Sequence, residues 1–449
     1  MKISTGLKNL FLALVLVSLV TLPGTELQAW TEHTLISYPA LSSMPQLKNA
    51  QPVKVESLEA FLVAEGEKLE LLLLEQESWS KQNLSWHAPL PPSLIFKASP
   101  DPKEARLRFI NAIRISPKTI LPLYLQLLPG QETKGRSVLA GGDITFLQDK
   151  SDMRTTTFVK LHEGETADPL DVVSTASNEP DMGLDIGLFE DNHTGFGKTY
   201  GFGIQPFGNP NLEFGSQAPF HMGFYHESPI VFKFASFLKK TYPEYRIHLY
   251  KKLAEFAFKT GHDYWGWRFA GWGLHYLADL AQPYHATVLP GVSTVKALWI
   301  NTIDMAGIHG PKNNAVQLVS NRHLALEKFV QIVLQKAYLD NQTDHPIIKA
   351  LQSSKDAPLY DDSTPRQIIA KAAHAKAAAT DKIIMNSMPK QYVSDPAFEF
   401  GTSEDQFKIV EIVKREKGEA AMEKLTNLAA ELLAPLAVYA KSYINAVKP

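Results

Sequence analysis

The chain has 449 residues, of which 45% are hydrophobic and 20% charged, with a formal net charge of −2. That is apolar material for one large core or two ordinary ones, and no basic surplus announces a nucleic-acid binder. Cysteine is absent, so there is no disulfide and no lipid-modified cysteine, and an exported form must rely on packing, on metals or on both.

The first residues read as an export signal. Lys2 and Lys8 precede an apolar run over residues 10–22, Pro23-Gly24 breaks it, and Ala29 suits the last position before cleavage. Residues 1–29 are therefore expected to be a signal peptide, with Trp30 as the new N-terminus and a periplasmic or extracellular destination. An uncleaved anchor is the alternative, for which the run is short. Next comes a Leu- and Glu-rich helical pattern over residues 55–82. Shorter helices are expected over 102–115 and 116–128, with Pro117 tolerated near a start. Residues 136–211 change texture: Gly, Asp, Thr and Asn dominate, and "TGFGKTYGFGIQPFGNPN" predicts loops with a few short strands. Long loops of this kind are often functional.

Helical texture resumes near Pro229. Helices are expected over 242–259, 261–280, 321–339 and 365–386. In the last helix Leu425, Leu428, Ala429, Leu432 and Leu433 share one face, and Pro435 is expected to kink or divide it. The chain reads as mainly α with no internal repeat and no clear boundary after the leader. The aromatic segment "DYWGWRFAGWG", residues 263–273, reads as helix core for most of its rings, with an apolar approach to a site as the other reading.

Chemistry concentrates in "GLHYLADLAQPYHAT". His275 and Asp279 are four residues apart on a helix, one turn above another, so both can reach one metal ion. Pro283 ends the helix and His285 follows on the turn. A second pair, His323 and Glu327 in "NRHLALEKF", repeats the spacing. One such pair is common on solvated helices; two, with a third histidine between them, make a set suited to zinc.

"HYLADLAQPYH" resembles the H-Y-x-G-D-x-x-Q-P-x-H signature of the bacterial zinc-dependent phospholipases C, which are related to the fungal and plant zinc-dependent single-strand nucleases. The later H-x3-E is similar to the phospholipase pattern; the nucleases usually carry aspartate there. The resemblance implies a mostly helical fold, three zinc ions and a mature N-terminal tryptophan that chelates one zinc through its amine and carbonyl. Trp30 and His33 in "WTEH" match that terminus. Two further ligands are implied before the signature. "NEPDMGLD" offers Asp181, the first choice because it follows a proline, and Asp185. "PFHMGFYHES" offers His221, the first choice because it precedes Phe224-Tyr225, and His226 in reserve. On this pattern Asp181, His221, His275 and Asp279 hold one zinc. Trp30 and His33 hold a second, bridged by Asp279. His285, His323 and Glu327 hold the third.

Asp181 is also the implied catalytic proton acceptor. His87, His162, His193, His248, His262, His309, His345 and His374 are assigned no role. The resemblance covers Trp30 to His33 and about Asp181 to Glu327. Ala278 replaces the usual glycine, the intervals from His33 to Asp181, from Asp181 to His221 and from His285 to His323 are longer, and that from Trp30 to His33 is shorter. An insertion is implied at about residues 41–175, with a helical C-terminal extension and no appended β-sandwich.

The function so implied is a zinc-dependent phosphodiester hydrolase, most simply a phospholipase C acting on lipid headgroups with peripheral contact at a membrane surface. No stable nucleic-acid partner is expected, and protein partners are not legible. The alternatives are a single-strand nuclease or nucleotidase on the same trinuclear site, and a metal-binding protein without catalysis. If cleavage follows Ala29, N-terminal sequencing of exported protein returns Trp-Thr-Glu-His; any other start removes the terminal chelate.

Overall fold

The computed structural model describes residues 32–210, 213–353 and 355–448, so the leader and Trp30 lie outside the described residues. The fold is mainly α with two small sheets. The labelled helices are α1 (His33–Ser42), α2 (Leu58–Asn83), α3 (Pro102–Ala112), α4 (Pro169–Ala176), α5 (Pro229–Phe234), α6 (Pro243–Thr260), α7 (Asp263–Leu280), α8 (Pro283–Ala286), α9 (Thr294–Met305), α10 (Gly310–Leu339), α11 (Lys371–Ser387) and α12 (Glu419–Val447). The strands are β1 (Val53–Lys54), β2 (Tyr124–Leu127), β3 (Val138–Leu139), β4 (Thr157–Lys160) and β5 (Thr166–Ala167). β1 pairs with β5, and β2-β4-β3 form an antiparallel sheet with Leu125 opposite Val159. No described helix is long and apolar enough to cross a membrane.

The helix expected over 116–128 is absent. α3 stops at Ala112, Arg114 takes a left-handed conformation, and Leu121, which precedes Pro122, does the same. Proline disfavours the α region for the residue before it, so the segment extends into β2 instead. α10 begins eleven residues before its expected start, at Gly310 with Pro311 in the first turn, a position proline tolerates. The helix expected over 365–386 opens with a π-helical turn at Pro365–Ala370. α12 runs through Pro435 undivided. The carbonyl that Pro435 cannot satisfy is that of Glu431, and Lys376 on α11 donates to it at 3.3 Å.

α7 is the axis of the fold. Every residue from Tyr264 to Leu280 is buried, as expected for a helix that is apolar on all sides. One large apolar cluster packs Trp265, Phe269 and Leu277 of α7 against α2, α3, α4 and α6. A second joins α1, α10, α11 and α12 and reaches Ala278 at the end of α7. The rings of "DYWGWRFAGWG" lie in the first of these cores and do not line an approach to the site. Residues 41–175 contribute to the same core through α2 and α3, and α12 packs on α1 and α7.

Two glycines set how closely α7 is approached. A Cβ on Gly271 would stand 2.6 Å from the Val173 carbonyl of α4, and one on Gly273 would meet the Tyr443 hydroxyl of α12. Backbone cannot yield as a flexible side chain does, so Gly271→Ala is expected to cost about 1–3 kcal/mol. Its thermal unfolding midpoint should fall measurably, while Gly142→Ala, at an open surface position, should leave the midpoint in place.

Candidate metal centre

The centre lies where the two cores meet. α7 carries His275 and Asp279, α8 carries His285, α10 carries His323 and Glu327, and α1 opens with His33. The short helix Ala218–His221 supplies His221, and the turn Glu179–Met182 supplies Asp181. These eight side chains form three contiguous groups able to hold a metal ion: His33 with Asp181 and His275; His221 with His275 and Asp279; His285 with His323 and Glu327.

Asp279 is fully buried and its oxygens face different ways. Oδ2 lies 2.9 Å from His221 Nδ1 and 3.3 Å from His275 Nε2, whereas Oδ1 lies 3.4 Å from His33 Nε2. Asp181 spans the same two groups, with Oδ1 3.8 Å from His221 Nδ1 and from His275 Nε2, and Oδ2 3.9 Å from His33 Nε2. In the third group His323 Nε2 is 2.7 Å from Glu327 Oε1 and 3.1 Å from His285 Nε2.

The outward contacts determine which imidazole nitrogens face in. His275 Nδ1 lies 2.8 Å from the Ser177 carbonyl, and His285 Nδ1 lies 3.2 Å from the His221 carbonyl. A carbonyl only accepts, so both Nδ1 atoms donate, and the Nε2 atoms are the ones turned inward. His221 presents Nδ1 inward while its Nε2 sits 3.4 Å from Asp185. Asp185 is thus the outer charged neighbour of His221, an ion-pair contact rather than a hydrogen bond, and it accepts from Arg246 and from the Tyr276 hydroxyl at 2.6 Å each. Such outer partners hold ligand rings in one orientation. Gln282 does the same for Glu327, donating to Oε1 at 3.0 Å.

A cation fits what remains. Among the described residues His33 Nε2, Asp279 Oδ1 and Glu327 Oε2 are buried inside this cluster without a hydrogen-bond partner. Orphaned buried polar atoms are costly, and three in one cluster of nitrogen and oxygen donors form a ligand set of the type that zinc takes. The electrostatics agree. Burial alone would raise the pKa of Asp279, but the His275, His221 and His33 imidazoles hold it well below the usual carboxylate range. Burial opposes charge on His221, yet the Asp185 and Asp279 carboxylates push its pKa up to about 10. Positive charge is therefore favoured at that position, as a proton or as a metal ion. Burial pushes His285 down to about 3, which keeps it neutral as a ligand must be. Burial also raises Glu327.

Asp181 is the most exposed member of the cluster among the described residues. Asp181 is 14% exposed, whereas the other seven are 3% or less. Asp181 lines a shallow open cleft with Glu32, Asn178, Phe158, Phe214 and residues of the 147–153 segment. Glu32 is buried there, accepting from Gln126 at 2.6 Å and Thr156 at 2.8 Å, and burial lifts it to about 7. The His33 amide donates to Asn178, which fixes the entry to α1.

Asp185 and His226, the alternative ligands, do not enter the cluster. Asp185 stands behind His221, and His226 bonds the Arg366 carbonyl at 2.8 Å. The histidines assigned no role include His248, stacked on Trp79, His87, hydrogen-bonded to Glu77, and His262, hydrogen-bonded to Glu56. The outer arginines were not legible as site residues. Arg268 grips Glu179, two residues before Asp181, and Arg246 grips Asp185, four residues after it. The signal was present in Arg268: an arginine inside an otherwise apolar helix needs a buried acid.

Comparison with family models, with characterised proteins and with solved structures returns no match. The class that fold and site define is a mainly α protein with a buried three-group candidate metal centre. Asp279→Asn keeps the shape but removes the charge that faces two groups. Its bound metal after dialysis, read by elemental analysis, should fall by at least one ion per chain with far-ultraviolet circular dichroism little changed. Undiminished metal content would remove Asp279 from the ligand set.

Proposed function

We propose that the chain is an exported zinc-dependent phosphodiester hydrolase of the phospholipase C type, which cleaves a headgroup phosphodiester. The observation that carries this reading is the convergence of eight histidine and acid side chains on one buried centre, with Asp279 facing two groups at once. Zinc held there would neutralise phosphate charge and make bound water acidic enough to supply hydroxide near neutral pH. Within this reading His33, Asp181, His221, His275 and Asp279 hold the paired sites, and His285, His323 and Glu327 hold the third. In this reading a chain that starts at Trp30 would carry its free amine two residues before Glu32 in the sequence.

Asp181 is the group at the boundary between centre and cleft. Its partial exposure supports a second role, accepting a proton from the attacking water. No other member of the cluster is comparably open to the cleft.

The cleft also separates the rival readings. A single-strand nuclease needs a basic groove with aromatic platforms for several bases. Here Lys150 is the one cation among the cleft's lining residues, against Glu32, Asp149, Asp152 and Asp181, and Lys150 is engaged with the Leu147 carbonyl. Phe158, Phe214, Leu147 and Met182 make the remaining lining largely apolar. This supports a single diester attached to an apolar body over a polyanion.

Metal-loaded mature protein, offered phosphatidylcholine, phosphatidylethanolamine, phosphatidylinositol and single-stranded DNA, should release a phosphorylated headgroup and leave diacylglycerol. Asp181→Asn should lower that turnover at least tenfold. Cleavage of DNA in preference to every lipid would transfer the site to the nuclease reading, and full metal loading without any hydrolysis would leave a non-catalytic metal protein.

A further inference from the structure

α9 is built inside out for a helix at a water-facing surface. It turns Ile300 and the acid Asp304 inward and presents Val295, Trp299 and Met305 outward, with Val295 78% and Trp299 56% exposed. At about 100° per residue Val295 and Trp299 lie within one narrow stripe, opposite Ile300 and Asp304. A surface helix ordinarily shows the reverse pattern. α5 packs against α9 and adds Ile230 and Phe234, and Phe237 follows just beyond it. Ile308 continues the patch past the end of α9. Among the described residues, seven of the eighteen exposed large apolar side chains fall in these two short segments.

The charges on the patch are of one sign. Lys233, Lys239 and Lys296 are exposed on it, and Lys239 lies over the Phe232 ring at 5.1 Å. Residues 228–241 contain no acid at all. Between residues 288 and 321 the one acid is Asp304, which is buried and paired with Lys312 at 2.8 Å. The whole chain is slightly acidic, so this is a local excess of positive charge beside aromatic and aliphatic side chains.

The two segments are also tied to the centre. α9 is inserted between His285 on α8 and His323 on α10, and α5 follows His221 by eight residues. Their bases are clipped together where the Val288 amide donates to Glu227 at 2.8 Å.

We propose that the outer faces of α9 and α5 form a docking surface for an anionic phospholipid bilayer. Apolar side chains on a basic face are the pattern of helices that lie in the membrane interface, with rings among the acyl chains and lysines at the headgroups. A patch of this size and polarity marks an interaction site. A second copy of the chain fits it less well, because two such faces would bring lysines against lysines. In taking lipid as the partner this rests on the phospholipase reading above, and it adds which surface meets the bilayer.

The test uses the full metal-loaded chain with sedimenting vesicles, one batch of phosphatidylcholine and one of phosphatidylcholine with phosphatidylglycerol. Binding should be confined largely to the anionic vesicles and weaken in high salt. Trp299→Ala should reduce partitioning roughly tenfold, and Lys296→Glu should reduce it by about fivefold or more. Leu71→Ser, at a distant exposed position, should bind as wild type does. Brominated acyl chains should quench fluorescence that is lost in Trp299→Ala. Equal binding by Trp299→Ala, or no preference for anionic vesicles, overturns the proposal. So does a patch-dependent dimer in sedimentation analysis without vesicle binding. Turnover of a water-soluble phosphodiester, measured in parallel, reads the metal centre alone. Trp299-dependent binding without such turnover would defeat the hydrolase reading and leave the docking surface standing.

Discussion

A carboxylate buried among imidazoles governs this structure. Asp279 has no exposure, and each of its oxygens meets a different set of nitrogens. Burying a charge is affordable only when it is paired, and here the pairing falls to the surrounding imidazoles. Asp181 and Glu327 add two more acids to the same interior. The cluster therefore depends on positive charge, which protons or divalent cations can provide, and with Nδ1 of His275 and His285 committed to carbonyls it is their Nε2 atoms that face inward to receive either. That requirement links folding to metal, because a ligand set of this kind exists only once the chain has closed around it.

The rest of the fold keeps those groups in place. Arg268 on α7 binds Glu179, Arg246 on α6 binds Asp185, and the turn between carries Asp181. Both ion pairs are fully enclosed, where loss of one partner leaves an uncompensated charge. Asp185 then passes its orientation to His221, and the Trp272 indole donates to Glu179. The Gly271 contact lets α4 come close enough for the carbonyl of Ser177, the residue just past its end, to orient His275. On the other side Tyr284 stacks on His323 and donates to Asp381 of α11, which also takes Arg322. Through Asp381, α11 is thus coupled to the third group.

Much of the centre was readable because helical geometry is local. Residues four apart share a face whatever surrounds them, so His275 with Asp279 and His323 with Glu327 were identifiable pairs before any tertiary contact was known. The proline after Gln282 marked the turn that redirects His285. Helix bounds failed where a neighbour decided them: Ser116 to Leu128 lost its helix to Pro122 and to pairing with β4, and α12 kept its continuity at Pro435 because Lys376 satisfies Glu431.

By itself the sequence determined the residue types, the pairwise spacings on α7 and α10, and the mainly helical character, all of which follow from periodicity along one chain. Only the tertiary structure decided that Asp181 and His221 enter the cluster while Asp185 and His226 stay outside it. Each candidate pair sits in irregular or short segments, where spacing carries no direction. The choice was made by contacts from far along the chain, Arg246 drawing Asp185 outward and the Arg366 carbonyl holding His226 away. The aromatic run on α7 was assigned to the core for the same reason: burial is a property of what packs against a helix, and that is settled only when α2, α4, α6 and α12 arrive.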